Sequence, residues 1–263
     1  MEQQNKSIDG STIKIIAMAA MLIDHIGAAL IGRIAAVNGL LSVNWDDLVL
    51  FFQQEPLISI LFIITRLIGR IAFPIFCFLL VEGFCHTRNK YRYAFRLLLF
   101  ALISEIPFDL AINAVPFETG YQNVYFTLFF GLAALIVLDK INMILSDKKA
   151  LKIIAMIISS VVFIYAAQLA QTDYASIGVL TIIIIYLDKR DHVTQFVNGC
   201  IVLSIYNILE VTSFLALPLI RRYSGKRGIN IKYLFYAFYP AHLLILYMIA
   251  CFYGIEHSIK GFL

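Results

Sequence analysis

The stretch TIKIIAMAAMLIDHIGAALIGRIAA, residues 12–36, decides the class of fold to which this chain belongs. A helix needs roughly 20 mostly apolar residues to cross the hydrocarbon core of a membrane, and this stretch is long enough to do so. In hydrocarbon the backbone must satisfy its own hydrogen bonds, so membrane spans are helices or closed barrels. The apolar residues are continuous and do not alternate with polar ones, which predicts a membrane-crossing helix.

Similar apolar runs recur along the whole chain. Hydrophobic residues make up 61% of the sequence and charged residues only 14%, against roughly 25% charged residues in a soluble domain. Too few charges are present to cover a soluble fold. We therefore predict an all-α polytopic bundle of about eight or nine spans, forming a single domain over residues 1–263. The predicted segments are 12–36, 57–84, 93–114, 122–138, 151–170, 175–187, 194–219 and 233–253.

The charged residues between these segments predict an orientation. The amino terminus and the connections 88–92, 140–152 and 189–190 carry Lys and Arg, whereas 38–56 and 115–121 carry acidic residues and no basic ones. Cytoplasmic loops are enriched in Lys and Arg. The pattern places the amino terminus and the basic loops in the cytoplasm, in a cell membrane. The net charge of +4 is explained in this way, and no nucleic-acid partner is expected.

One segment does not fit simple alternation. Segment 194–219 begins beside a basic loop and is followed by the strongly basic stretch 221–232, which a single crossing would place outside the cell. It also contains Glu210 and Pro218. Broken helices are tolerated at membrane depth where they line a polar cavity. The sequence therefore predicts two short helices or a re-entrant hairpin here.

Ionisable residues inside spans are costly and are functional candidates. Asp24 and His25 lie midway along the first segment, and His is the most frequent general base. Neighbouring residues on a helix point about 100° apart, so Asp24 either orients His25 or faces another span. Arg70, one segment away at similar depth, is a candidate to stabilise developing negative charge.

Other polar residues inside spans are candidates for substrate binding. Glu105 and Asp109 are four residues apart and share a helix face. They are expected either to bind a cationic acceptor amine or to neutralise Arg66 or Arg70. The remaining candidates for substrate binding are Asn123, Tyr239 and His242. The phosphate-binding P-loop, HExxH and GxSxG patterns are missing from the sequence, so an ATP-driven pump or a zinc protease is not expected, and no metal is predicted.

Six stretches, taken together, resemble the TraX family, which is named for a protein linked to acetylation of conjugative F-pilin. That family resembles, more distantly, the transmembrane acyltransferases, which include the acyltransferase-three family and the lysosomal heparan glucosaminide acetyltransferase. In the acyltransferase-three pattern a basic residue precedes a functional histidine by about three turns, and Lys14 and His25 fit this spacing with Lys in place of Arg. The six stretches are TIKIIAMAAMLIDHIG (12–27), GRIAFPIFCFLLVEGFCHTRN (69–89), YAFRLLLFALISEIPFDLA (93–111), NVYFTLFFGL (123–132), TDYASIGVL (172–180) and ALPLIRRYSGKRGINIKYLFYAFYPAHLLILY (216–247).

The resemblance implies transfer of an acyl group, most simply acetyl from cytoplasmic acetyl-CoA, to an acceptor at or beyond the membrane. The acceptor is unknown: a protein amino terminus, a glycan or a small molecule. His25 would act as base or nucleophile, with Asp24 and Arg70 in supporting roles. Cationic side chains would bind the CoA phosphates. They are Lys14, Arg88, Arg92, Arg221, Arg222, Lys226, Arg227 and Lys232.

Two other functions remain open from the residues alone. A secondary transporter could use the buried ionisable residues as a proton or substrate relay. A structural partner for a surface apparatus could use them only to hold helices together, and His25→Ala would then leave function intact.

Overall fold

The structure, a computed structural model, describes residues 7–37, 53–230 and 232–256. It is 80% helical, and no β-strand occurs in the described ranges, which confirms the predicted all-α class. The predicted connection 38–56 lies mostly outside the described residues. The helices are α1 (Gly10–Ile26), a π-helical turn (Gly27–Ile31), α2 (Gly32–Val37), α3 (Pro56–Gly69), α4 (Ala72–His86), α5 (Lys90–Asn113), α6 (Val124–Ile144), α7 (Lys149–Leu169), α8 (Ala175–Leu187), α9 (His192–Tyr206), a 3₁₀-helix (Ile208–Ala216), α10 (Leu217–Arg221) and α11 (Lys232–Phe252).

By length and composition, several helical stretches are able to cross a membrane. Five such stretches occur among the described residues, so the predicted total of eight or nine spans is supported only in part. Each of the eight predicted segments is nevertheless mainly helical. The five stretches are Gly10–Ala35, Pro56–His86, Val124–Ile144, Lys149–Leu169 and Lys232–Phe252.

Polar residues define where helices begin. The Asp9 carboxylate accepts a hydrogen bond from the Thr12 backbone N–H at 2.8 Å, at the start of α1. Hydrogen bonds from Ser11 and Thr12 hold the pKa of Asp9 below its ordinary value. Asn89 caps α5 in the same way. Such caps satisfy backbone donors that have no partner within the helix.

The helix ends that carry the basic loops meet at one end of the bundle. At the end of α4, Glu82 accepts a hydrogen bond from the Tyr223 hydroxyl at 3.3 Å and lies 3.7 Å from His192. Lys90, at the start of α5, pairs with Asp139 on α6 at 2.6 Å. We call this the basic end. It comprises residues 7–14, 82–92, 139–152, 186–192, 221–230 and 232.

The connections without basic residues meet at the other end, which we call the opposite end. There the Tyr121 hydroxyl donates to Asp173 Oδ1 at 2.8 Å, and the Gln122 backbone N–H donates to the Gln171 carbonyl at 2.9 Å. Seven helical runs of the described chain connect the two ends. They are α1 with α2, α3 with α4, α5, α6, α7, α8 and α11.

Segment 194–219, which was predicted to form two short helices or a re-entrant hairpin, is an interrupted helix that folds back as a hairpin. After α9 the chain turns at Asn207, whose side chain accepts from the Leu209 backbone N–H at 3.0 Å, and continues as the 3₁₀-helix and α10. The rings of His192 at its start and Tyr223 after its end are 5.3 Å apart between centroids. The segment is therefore a hairpin that begins and ends at the basic end, and it brings residues 221–230 there.

The segment predicted as 57–84 is interrupted between α3 and α4. The interruption falls at Arg70 and Ile71. Pro74 has no N–H with which to bond the Arg70 carbonyl one turn earlier, so a regular helix cannot continue through this point. The break places Arg70 at the junction of two helices.

Helices α1 and α3 approach each other closely beside His25. A methyl group on Gly27 would lie 2.1 Å from Thr65 Oγ1, and one on Gly69 would lie 2.1 Å from Asp24 Oδ1. Small residues allow this kind of approach between membrane helices. The π-helical turn follows His25 almost directly, and such turns are frequent at functional sites.

Candidate functional site

Two histidines from opposite parts of the chain form a direct contact inside the bundle. His25 Nδ1 on α1 lies 2.6 Å from His242 Nε2 on α11. The rings are nearly parallel, 12° between planes and 4.9 Å between centroids. His242 is buried, and its Nδ1 lies 2.6 Å from the Phe238 carbonyl oxygen one turn earlier. We call His25 and His242 the histidine pair.

The carbonyl of Phe238 fixes the protons on both rings. A carbonyl oxygen only accepts, so His242 Nδ1–H must donate to it. In a neutral imidazole the second nitrogen is then an acceptor, so His25 Nδ1–H donates to His242 Nε2. His25 Nε2 is left without a proton. The pair thus presents one basic nitrogen, held in a defined tautomer and orientation.

Aromatic rings cover the histidine pair. Tyr239 lies edge-on to both members, 5.9 Å from His25 and 5.7 Å from His242 between ring centroids. Tyr125 contacts Tyr239 at 5.0 Å, and Phe238 stacks on His242 at 4.7 Å. Tyr239 and His242, predicted from sequence as substrate-binding residues, therefore lie at His25 itself.

Asp24 faces α3 and not its neighbour His25. Its Oδ2 accepts from Arg66 Nη1 at 2.7 Å, while Oδ1 has no hydrogen-bond partner in the described part of the chain. Of the two orientations expected for Asp24, the structure has the one toward another helix. The histidine pair is oriented by a backbone carbonyl instead of by this carboxylate.

Arg70 joins the helix break to the hairpin. Its Nη1 donates to Glu210 Oε1 at 3.0 Å and to the Tyr174 hydroxyl at 3.4 Å. Glu210 lies in the 3₁₀-helix and is almost fully buried. The expectation that Glu105 or Asp109 neutralises Arg66 or Arg70 is wrong, because Asp24 and Glu210 do so.

Glu105 and Asp109 instead tie α5 to its neighbours. Asn123, the cap of α6, donates through Nδ2 to Glu105 Oε2 and, at 2.8 Å, to the Ala101 carbonyl. Asp109 is fully buried, and its Oδ2 accepts from the Glu118 backbone N–H at 2.8 Å. These contacts organise the opposite end. Substrate binding by these three predicted residues stays a prediction.

A polar cavity of about 230 Å³ opens at the opposite end. It combines both signs of charge with tyrosine side chains, and Arg70 and Glu210 form part of its wall. We call it the opposite-end cavity. Its lining is Arg70, Tyr121, Thr172, Asp173, Tyr174, Ala175, Tyr206, Asn207 and Glu210.

A narrower cavity of about 60 Å³ lies toward the basic end, and we call it the basic-end cavity. Two predicted cofactor-binding residues, Lys14 and Lys232, line it, and Lys14 Nζ sits 5.1 Å from the centroid of the Phe235 ring. Lys14 precedes His25 by roughly 16 Å along α1. The other lining residues are apolar or aromatic: Phe76, Leu79, Leu80, Tyr93, Leu97, Leu128, Phe235 and Tyr236.

The remaining predicted cofactor-binding cations are exposed at the basic end. Arg227 donates to Asn230 Oδ1 at 2.9 Å, and the Arg222 carbonyl accepts from the Ile8 backbone N–H at 2.7 Å. His25 and His242 line neither cavity. Within the described ranges, no group of three or more His, Cys, Asp or Glu could hold a metal ion. The exposed cations are Arg88, Arg92, Arg221, Arg222, Lys226 and Arg227.

Sequence reasoning did not assign several buried polar residues to the site. Glu210 stands out in the sequence as an acid inside an apolar segment, but its partner Arg70 is 140 positions away. Tyr174 and Asp173 lie in the stretch TDYASIGVL, which contributes to the family resemblance but indicates no role for either residue. Arg33 is fully buried and donates to the Leu110 carbonyl at 3.0 Å. Arg33 could have been identified as a candidate from the sequence, because it is a charged residue inside the first apolar segment.

Known proteins match this chain over almost its full length. The family model described as TraX protein matches residues 9–250. A relative from Dichelobacter nodosus, "Probable fimbrial assembly protein FimC, serogroup H1", is 26% identical over 270 residues, which cover 92% of this chain and 96% of the relative. No solved structure matches. The extent of the family match, which includes both members of the histidine pair, places the chain in the TraX family.

Proposed function

We propose that this TraX-family protein is a membrane-embedded acyltransferase. It moves an acyl group, most simply acetyl, from acyl-CoA at the basic end to an amine or hydroxyl acceptor at or beyond the other side of the membrane. The observation that carries the proposal is the pair of hydrogen bonds that links the Phe238 carbonyl to His242 and His242 to His25. These two bonds leave His25 Nε2 without a proton, as a basic nitrogen.

His25 supplies general-base catalysis in this scheme. Acyl-CoA supplies the acyl group as a thioester. His25 Nε2 takes the proton of the acceptor N–H or O–H as the acceptor atom bonds to the acyl carbon. It returns the proton to the thiolate sulfur when the C–S bond breaks. His242 stabilises the imidazolium through its Nε2 acceptor, and such proton transfer contributes about 10²–10⁴-fold in rate.

Residues at the basic end fit the chemistry of the donor. Cations there suit phosphate groups, and the apolar walls of the basic-end cavity, such as Phe76 and Leu80, suit an uncharged arm. Lys14 and Lys232 line the same cavity and add positive charge to its wall. On this basis we place acyl-CoA at the basic end, without assigning it a bound geometry.

The same proposal sets the orientation in a cell membrane. We take the seven end-to-end helical runs as crossings and the hairpin of residues 192–221 as a re-entrant segment, which makes eight membrane segments. The basic end and the amino terminus then face the cytoplasm. Acyl-CoA is large and highly charged, so it does not cross a membrane and stays in the cytoplasm. In this orientation it reaches the basic end directly.

The relative from Dichelobacter nodosus is named as a fimbrial assembly protein. That name makes a component assembled at the cell surface one candidate acceptor for this chain. A glycan or a small molecule is equally consistent with transfer across the membrane.

Calorimetric titration of the purified protein in detergent with acetyl-CoA tests the donor half of the proposal. We expect micromolar binding that Arg222→Ala with Arg227→Ala weakens roughly tenfold or more. Arg190→Ala is the matched control, because Arg190 is an exposed basic-end arginine that already pairs with Asp188 at 2.9 Å. If folded protein does not bind millimolar acetyl-CoA, the proposal is wrong.

The buried ion pairs Asp24–Arg66 and Arg70–Glu210 support a second candidate, a secondary transporter. It would move a substrate or proton across proteoliposomes without consuming acetyl-CoA. Substrate-driven proton movement that persists without acetyl-CoA would favour this second candidate.

A further inference from the structure

We propose that the opposite-end cavity binds a protonated primary amine that carries a neighbouring oxygen, and that this is the chemical class of the acceptor. Acyl transfer to this acceptor releases two protons. The ammonium gives the first to solvent at the open cavity, and the neutral amine gives the second to His25, which passes it to the thiolate sulfur as the C–S bond breaks. The proposal rests on the acyltransferase function for the word acceptor, but the binding site itself stands on the geometry of the cavity.

The charges around the cavity favour a cation. Arg66 and Arg70 supply two positive charges, while Asp24, Asp173 and Glu210 supply three negative ones. With all three acids ionised, one negative charge in this group has no positive partner, and a bound cation would favour that ionised state. An ammonium ion would balance this negative charge, and a carboxylate ligand would double the excess.

The hydrogen bonds left open in the cavity wall define the rest of the ligand. Glu210 is 2% exposed, and its Oε2 has no hydrogen-bond partner among the described residues. Arg70 Nε likewise has no partner there. A buried acceptor and a buried donor without partners each cost free energy. The acceptor requires a donor such as an ammonium N–H, and the donor requires an acceptor such as a hydroxyl or carbonyl oxygen.

The shape and the aromatic content agree with a small ligand. The volume of about 230 Å³ exceeds several times the roughly 30 Å³ that a water molecule occupies in the liquid. Tyr121, Tyr174 and Tyr206 form part of the lining, and aromatic faces attract cations. Ethanolamine, which has both an ammonium group and a neighbouring hydroxyl, is the simplest probe.

The first experiment is thermal unfolding of the full-length protein in detergent with added ethanolamine. We expect ethanolamine to raise Tm, since a ligand that binds only the folded state stabilises it. Ethylene glycol, which lacks the charge, and glycolate, which reverses it, should leave Tm unchanged at equal ionic strength. Stabilisation by glycolate in place of ethanolamine would overturn the proposal, and so would stabilisation by none of the three.

Glu210→Gln keeps the shape of the side chain and removes its charge. We expect it to raise the ethanolamine concentration needed for half of the Tm shift at least tenfold. Asp139→Asn is the matched control, because Asp139 is an acid at the basic end that pairs with Lys90. An unchanged response in Glu210→Gln would contradict the proposal. If Glu210→Gln does not fold, Asp173→Asn makes the same test from another wall of the cavity.

Two further arms separate the remaining questions. Glycylglycinamide shares the ammonium and the neighbouring oxygen, so its strength relative to ethanolamine distinguishes a chain terminus from a free amine, and either preference supports an ammonium site. Acetyl-CoA is titrated in parallel. A Tm shift with ethanolamine and none with acetyl-CoA would keep the amine site and remove the acyltransferase proposal, whereas the reverse result would remove only the amine site.

Discussion

His25 and His242 are 217 positions apart in the chain and meet at 2.6 Å. A histidine inside an apolar run is conspicuous in the sequence, so both were identified as candidates. Their contact could not be predicted, since it depends on how α1 and α11 pack. Asp24 illustrates the same limit: helical geometry allowed two directions for its side chain, and only the packing of α3 selected Arg66.

Substitutions of His242 test whether it sets the tautomer of His25. His242→Ala removes the acceptor for His25 Nδ1–H, and we expect kcat for acyl transfer to fall on the order of 10²-fold. His242→Gln can still offer a carbonyl oxygen at this position, so it should retain more activity than His242→Ala. Equal losses in the two variants, with acetyl-CoA binding kept in both, would mean that His242 does not act through this hydrogen bond.

The Arg70–Glu210 pair provides a test based on stability. Arg70→Met leaves Glu210 buried without its partner and should lower the free energy of unfolding by about 3–5 kcal/mol. Adding Glu210→Gln removes the uncompensated charge and should restore a large part of that loss. Reversible unfolding in mixed detergent would measure both. A double variant no more stable than Arg70→Met would show that the pair is not coupled.

At the scale of elements, the sequence predicted the helices well because apolar run length is a local property. The exact position of the break between α3 and α4, at Arg70 and Ile71, was harder to predict. Pro74 indicates that the helix is irregular in the preceding turn, but not which residue leaves it. The hairpin of residues 192–221 was expected, because charge alternation failed there. Its 3₁₀ conformation, which positions Glu210, has no comparable signal in the sequence.

The glycine contact between α1 and α3 gives a prediction at this scale. In Gly69→Ala the new methyl group would lie 2.1 Å from Asp24 Oδ1, and overpacking of this kind costs about 1–3 kcal/mol. Gly32→Ala is the control, since its methyl group would lie 3.4 Å from Phe62 Cε2, an ordinary contact. Thermal unfolding should show a lower Tm for Gly69→Ala only. The packing at Asp24 is described incorrectly if both variants match wild type.

For the whole molecule, the distribution of Lys and Arg predicted which helix ends lie together. Basic and non-basic connections alternate along the chain, so successive basic connections are separated by two crossings and lie at the same end. The contacts of Glu82 with Tyr223 and His192 agree with that grouping. The opposite-end cavity could not be predicted. It forms where the start of α8, the break between α3 and α4, and the hairpin meet. These elements are distant in sequence.

Cysteine labelling tests the orientation. With the exposed Cys85 and Cys251 replaced by serine, Arg190→Cys and Arg227→Cys should react with a membrane-impermeant maleimide only in inside-out vesicles. Phe117→Cys, in the exposed connection at the opposite end, should react in whole cells. Reaction of Arg190→Cys and Arg227→Cys from different sides would contradict a hairpin that returns to the basic end.

The most direct measurement is transfer of radiolabelled acetyl from acetyl-CoA to material in membranes of the cells that naturally make the protein. Wild-type protein should transfer label, and His25→Gln should reduce the rate at least about 10²-fold while binding acetyl-CoA as tightly as wild type. Equal transfer by the two proteins at equal amounts in the membrane would contradict a catalytic role for His25, and no transfer by wild type under conditions where acetyl-CoA binds would contradict the acyltransferase function itself.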